Sequence, residues 1–103
     1  MKNQKKINYY YIIEAQPRWD MMGYGVCHYD KQGKFKHSTP DEKVKTYKNY
    51  SCALKLAKKL APQYQIMVEC ISVVRCREDF PMISGTRLVS INTETGEMKK
   101  CEY

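Results

Sequence analysis

The sequence predicts an α+β fold: an antiparallel sheet of about five to six strands with one helix packed on one face, in the order β-β-β-α-β-β-β. Three observations lead there. Apolar residues alternate with period two in several short runs bounded by turn residues. One stretch, residues 49–61, instead repeats apolar residues at helical spacing. A chain of 103 residues with 43% hydrophobic content supports one packed core and leaves no room for a second, so residues 1–103 read as a single domain.

The first strand lies in KINYYYIIEAQ. Ile7, Tyr9, Tyr11, Ile13 and Ala15 share the better core face, and Asn8, Tyr10, Ile12 and Glu14 share the other. Pro17 ends it, and Pro17-Arg18-Trp19-Asp20 is a loop. A second strand runs through MMGYGVCHY, Asp30-Lys31-Gln32-Gly33 turns, and residues 34–37 return as its partner. Residues 38–42, around Pro40, form a polar loop.

The helix falls in KTYKNYSCALKLAKKLAP. Asn49 is its N-cap, with Ser51 as the rival, and Pro62 stops it. Ala53, Leu54, Leu56, Ala57, Leu60 and Ala61 make one apolar stripe. The following QIMVECISVVRC is apolar on both sides, with Ile66, Val68, Cys70 and Val74 against Met67, Ile71 and Val73. That pattern suits a central strand covered on both faces. After a loop from Arg77 to Gly85, TRLVSIN and EMKKCEY flank the turn Thr93-Glu94-Thr95-Gly96. One helix cannot cover both faces of such a sheet. Either one face is left for a partner, or the sheet curls.

Several function classes are excluded by what is missing. No apolar run approaches the roughly 18 residues of a membrane span, and the N-terminus lacks the apolar segment and cleavage site of a signal peptide. A cytoplasmic protein is expected, without a membrane partner. The five cysteines, at 27, 52, 70, 76 and 101, include no C-x-x-C pair and read as reduced. Cys27 and His28 are adjacent in a strand, point to opposite faces and cannot form a catalytic dyad. His28 and His37, diagonal across their hairpin, would need further ligands to hold a metal. No phosphate-binding glycine loop, nucleophile elbow or carboxylate pair is present. The expectation is a non-enzymatic binding protein with no cofactor and no metal.

Charge says what it binds. The net charge is +7, and residues 1–64 hold 13 Lys or Arg against 5 Asp or Glu, whereas residues 65–103 hold 5 against 6. Lys31, Lys34 and Lys36 lie on the hairpin, Lys45 and Lys48 in the loop after it, and Lys55, Lys58 and Lys59 on one helix face. No acidic residue falls between 49 and 61, although like charges four apart disfavour a helix. Tyr10 and Tyr29, on the outer side of the sheet beside the glycines at 23 and 25, would offer a stacking patch rimmed by the hairpin lysines. The expected partner is nucleic acid, DNA or RNA, or a nucleic-acid-handling protein. A chain so rich in Lys, Tyr, Ile and Asn also fits an AT-rich genome with no such partner. The alternative function is a protein-directed inhibitor or adaptor of the phage or mobile-element kind. It would dock through an exposed sheet face or the edge strand 97–103, with Tyr10, Trp19, Tyr29 and Phe80 as anchors.

Two partial likenesses accompany these patterns. MGYGVCHY resembles the octapeptide of the RNA-recognition motif at Gly23, Tyr24, Gly25 and Tyr29 and departs from it at Met22, Val26 and Cys27. The likeness implies base stacking by Tyr24. That family sets a β-α-β unit before its octapeptide; here 21 residues and no helix precede it. The hairpin-then-helix layout of residues 20–62, with its lysines, resembles the arm-type DNA-binding domains of some tyrosine recombinases. It implies a three-stranded sheet on one helix with the outer sheet face in the major groove. The two or three further strands depart from that family.

Overall fold

The structure, a computed structural model, describes residues 7–18, 26–36, 39–80, 83 and 85–101. Six strands make one antiparallel sheet: β1 (Tyr9–Pro17), β2 (Cys27–Tyr29), β3 (Phe35–Lys36), β4 (Val68–Arg77), β5 (Gly85–Asn92) and β6 (Met98–Lys100). The helix α1 (Tyr50–Leu60) lies between β3 and β4 in the chain. This is the α+β fold and element order the sequence predicts. Across the sheet the order is β3-β2-β1-β4-β5-β6. The two strands with apolar residues on both sides, β1 and β4, therefore sit at the centre, paired from Tyr9↔Arg77 through Ala15↔Ile71.

The alternation in β1 sorts Tyr11, Ile13 and Ala15 as read, whereas Ile7 and Tyr9, read on the same core face, are exposed at 44% and 38%. Tyr11, Ile13 and Ala15 face α1 and join Ile71 and Val73 of β4 and Val89 and Ile91 of β5 in the main core. From the helix, Ala53, Ala57, Leu60 and Ala61 are buried against them, with Leu54 and Leu56 half-buried at the flanks. Alanine at the two central positions lets the helix axis come close to the sheet. Asn49 is the N-cap residue through its backbone, its carbonyl accepting from the Ala53 N–H, with no side-chain cap. Pro62 does not stop the chain from coiling. It sits in the first turn of a 3₁₀ segment, Ala61–Tyr64, where its missing N–H costs nothing. That extra turn delays the next strand. Ile66 and Met67, read above as strand residues, lie in a turn at 78% and 69% exposure, and β4 starts at Val68.

Part of the helix-free face is covered by a segment of the chain read above as a loop. Beyond the Glu14↔His28 pair, β1 and β2 part, and residues 43–47 enter the fork. The Lys31 N–H donates to the Lys43 carbonyl at 2.9 Å, the Lys45 N–H to the Tyr29 carbonyl at 3.0 Å, and Tyr11 and Tyr47 exchange bonds of 2.7 and 2.8 Å. This strap turns Val44 onto Ile12, Val74 and Cys76, with Tyr10 and Ile83 packed at the side. The Asp41 carboxylate accepts from the Ile83 N–H at 3.1 Å, joining the strap to the loop before β5.

A bulge sets the remainder of that face. Val73 pairs with Val89, but Val74 pairs with Arg87, so Leu88 is the extra residue. By strict alternation Arg87 would share the helix side with Val89 and Ile91. The bulge moves it to the opposite side, onto Glu14. Residues 19–25 and His37, with Trp19, Gly23, Tyr24 and Gly25 among them, lie outside the described residues.

Candidate functional site

The lysines that the sequence singles out fall on two sides of the sheet. Lys55, Lys58 and Lys59 are exposed on the outer surface of α1. Lys36 stands opposite His28 across the β2–β3 pair, while the neighbouring Tyr29 and Phe35 pack into the helix-side core. Lys36 is therefore on the helix-free side, its Nζ 3.6 Å from Asp30. Lys31 and Lys36 both line a recess beside the turn, and Lys34 is exposed just after it. Lys45 lies on the helix side of the strap, its Nζ 5.7 Å from the centre of the Tyr47 ring. Lys48 lines a groove that also holds Asp41, Glu42 and Glu78.

Tyr10 and Tyr29 do not make one stacking patch. Tyr29 packs its ring 5.0 Å from Phe35, and Phe35 in turn lies 5.0 Å from Tyr64, all on the helix side. Tyr10 lies on the other side against the Val44 cluster. Burial pushes both phenols above their usual range, helped at Tyr10 by Cys76 and by the charges of Asp41 and Glu78. The strap that supplies Val44 covers the outer face beside Tyr10, which is left half-buried and lines the groove with Lys48.

Carboxylates go to other partners. Among the described residues the ion pairs are Arg18–Glu94 at 2.8 Å, Arg77–Asp79 at 2.7 Å, Lys36–Asp30, and Glu14 with both Arg87 (3.2 Å) and His28 (3.7 Å). None reaches the helix lysines. Asp30, only 5% exposed at its side chain, accepts from the Gln32 N–H at 3.0 Å and the Lys34 N–H at 2.9 Å. Those bonds, the Lys34 one foremost, and the nearby Lys36 ammonium outweigh burial and hold its carboxyl below the usual range. Gly33, at φ +83°, lets the turn close around it.

A second polar array occupies the helix-free face beyond the strap. Burial pushes the Glu14 carboxyl up, but His28 and Arg87 together outweigh that and hold it below its usual value. The Gln16 side-chain oxygen, turned toward the guanidinium, accepts from Arg87 at 2.8 and 3.0 Å. Ser72 donates to Ser90 at 3.2 Å alongside. Sequence reading missed Asp30, Lys43, Glu14 and Arg87. Aspartate opening a turn ahead of glycine was a usable signal for the first; the others depend on long-range pairing.

Among the described residues no group of His, Cys, Asp and Glu could hold a metal ion, and no helix is long and apolar enough to cross a membrane. The edge strand β6 has three residues, two of them Lys99 and Lys100, and so resists strand addition. Of the anchors considered for protein docking, Phe80 is 51% exposed, Tyr29 is packed inward, and Trp19 lies outside the described residues. No protein-family model matches the chain, and neither the curated proteins nor the solved structures give a match. The layout also departs from the arm-type domains: β1 to β3 are half of a six-stranded sheet, and the strap covers part of their outer face.

Proposed function

We propose that the protein is a small basic binding module, not an enzyme, that holds a nucleic-acid backbone against the outer surface of α1. One observation carries this reading. Lys55, Lys58 and Lys59 stand together, exposed, and no carboxylate among the described residues pairs with them. Like charges at i, i+4 cost a helix about 0.2–0.5 kcal/mol per pair, so the row is mildly unfavourable until an anion meets it. The helix dipole favours Lys58 and Lys59 in the last turn but gives little to Lys55. Lys45, on the helix side of the strap, adds a further cation. Contacts of this kind engage phosphates and leave base identity unread, which suits DNA or RNA alike. All five thiols are free, in keeping with a reducing compartment such as the cytoplasm.

The test is a binding titration on a short duplex between about 50 and 200 mM salt, a range over which phosphate contacts lose affinity steeply. Wild type is compared with the Lys55→Ala, Lys58→Ala, Lys59→Ala triple variant. Wild-type affinity should fall steeply with salt, and the triple variant should flatten the log–log slope by about 2 to 3, roughly 0.9 for each lost phosphate contact. Identical slopes, or no binding by wild type at the lower salt, would refute the reading.

A further inference from the structure

We infer that the recess beside the β2–β3 turn is a binding site for a phosphate monoester, the doubly charged phosphate found at a strand terminus or on a small phosphorylated molecule. It shares no residue with the α1 surface and does not depend on the nucleic-acid reading.

The recess is a hollow of about 350 Å³. Lys31, Lys36 and Lys43 reach it from three different segments, with Gln32 and Thr39 between them and Asp30 at its wall. These segments are fixed to one another by hydrogen bonds. The Lys31 N–H to Lys43 carbonyl bond, at 2.9 Å, ties the turn to the strap. Thr39 Oγ1 donates to the Lys36 carbonyl at 2.8 Å, and the Lys43 N–H to the Pro40 carbonyl at 2.9 Å. The lysine stems thus start from held positions, which lowers the ordering cost of a shared ligand.

Three lysines and one carboxylate line the recess, an excess of two positive charges. Asp30 carries a single charge, and its Oδ1 is engaged by two backbone N–H groups. It lies against Lys36 alone and orients that ammonium. Among the described residues neither Lys31 nor Lys43 has a carboxylate partner. Mutual repulsion between the cationic side chains that line one hollow is relieved by an anion placed between them. A charge of nearly −2 at neutral pH, carried on three oxygens, matches the excess. A phosphodiester, with one charge, matches it half as well.

The experiment is an amide NMR titration of the ¹⁵N-labelled full chain at neutral pH. The probes are inorganic phosphate, a nucleoside 5′-monophosphate, dimethyl phosphate, and one short oligonucleotide with and without a 5′-phosphate. Saturable shifts are expected at Gln32, Lys34 and Lys43 with the first two probes, and binding at least tenfold weaker with dimethyl phosphate. The Lys31→Ala, Lys43→Ala double variant changes only exposed side chains. It should keep the rest of its spectrum and lose those shifts, whereas the α1 triple variant should retain them. A tighter fit for the 5′-phosphorylated oligonucleotide, lost in the double variant, would identify the source as a strand end. Saturation by the mononucleotide with no such difference would identify a small molecule. Absence of saturable shifts, equal response to dimethyl phosphate, or persistence in the double variant would overturn the site.

Discussion

The two ends of the helix-free sheet face are covered in different ways, and the contrast shows how one helix suffices for six strands. Near the start of β1 the covering is apolar: Ile12, Val74 and Cys76, exposed by 1%, 3% and 0%, lie under Val44 of the strap. Toward the other end of the same strands the residues are Glu14, Gln16, Ser72, Ser90, His28 and Arg87, and they pair with one another, although the buried Arg87 Nε is left without a hydrogen-bond partner. Ser72 is only 1% exposed there, flanked in register by Glu14 and Ser90. The first end needs an outside segment because apolar surface gains only by leaving water. At the second end, paired long polar side chains do the covering, provided that every charge keeps a partner.

The largest effect should therefore come from the strapped end. Ile12→Ala removes most of a fully buried side chain between sheet and strap and should cost about 2–5 kcal/mol in urea denaturation. A loss below about 1 kcal/mol would mean that the strap closes over the gap, and that this end is less rigid than its burial implies.

Next comes the ionic array. Arg87→Ala leaves the Glu14 carboxylate, 16% exposed, with His28 as its remaining ionic partner, and should cost about 1–3 kcal/mol. The effect has a pH signature. The folded Glu14 carboxyl lies below its unfolded value of about 4.3, so its stabilisation is complete above that range and is lost as pH falls through the folded value. Without Arg87 the folded value rises toward the unfolded one, so this group loses less stability on acidification and its part of the acid limb shrinks. Glu14→Gln should remove that part altogether. Denaturation midpoints at pH 7 and about 3.5 measure both changes, on either side of the carboxylate range. A wild type and a Glu14→Gln variant with the same acid limb would show that the array is not coupled to folding.

Much of the helix side was legible in the sequence, because its signals are local. The stripe from Ala53 to Ala61 fixes which helix face is inward, and the alternation in β1 fixes Tyr11, Ile13 and Ala15 as core. The burial of Ile71, Val73 and Val74 follows from apolar residues on both sides of β4. The helix-free side was far less legible, since each of its features is a long-range or parity effect. Val44 and Tyr47 are the apolar residues of a polar stretch, and nothing local says that it will enter a fork between β1 and β2. Arg87 reads as a helix-side residue until one extra residue, Leu88, reverses its side. The candidate lysines could be named one by one, but their division between two surfaces depends on the hairpin pairing of His28 with Lys36.

The smallest effect tests whether the polar end needs each of its bonds. Ser72 Oγ donates to Ser90 Oγ at 3.2 Å, a neutral contact longer than the usual range for paired hydroxyls. Ser72→Ala removes the donor, and the Ser90 hydroxyl, only partly buried, can turn to water or to a neighbouring acceptor. The expected cost is about 0.5–1.5 kcal/mol, below that of Arg87→Ala because no charge is stranded. If urea denaturation instead gave Ser72→Ala a loss as large as Ile12→Ala, the hydroxyl pair would be acting as the keystone of the ionic array. The two ends would then differ in chemistry but not in how firmly they hold the sheet. A loss near zero would place the burden of the polar end on Glu14 and Arg87, which is where their ion pair already puts it.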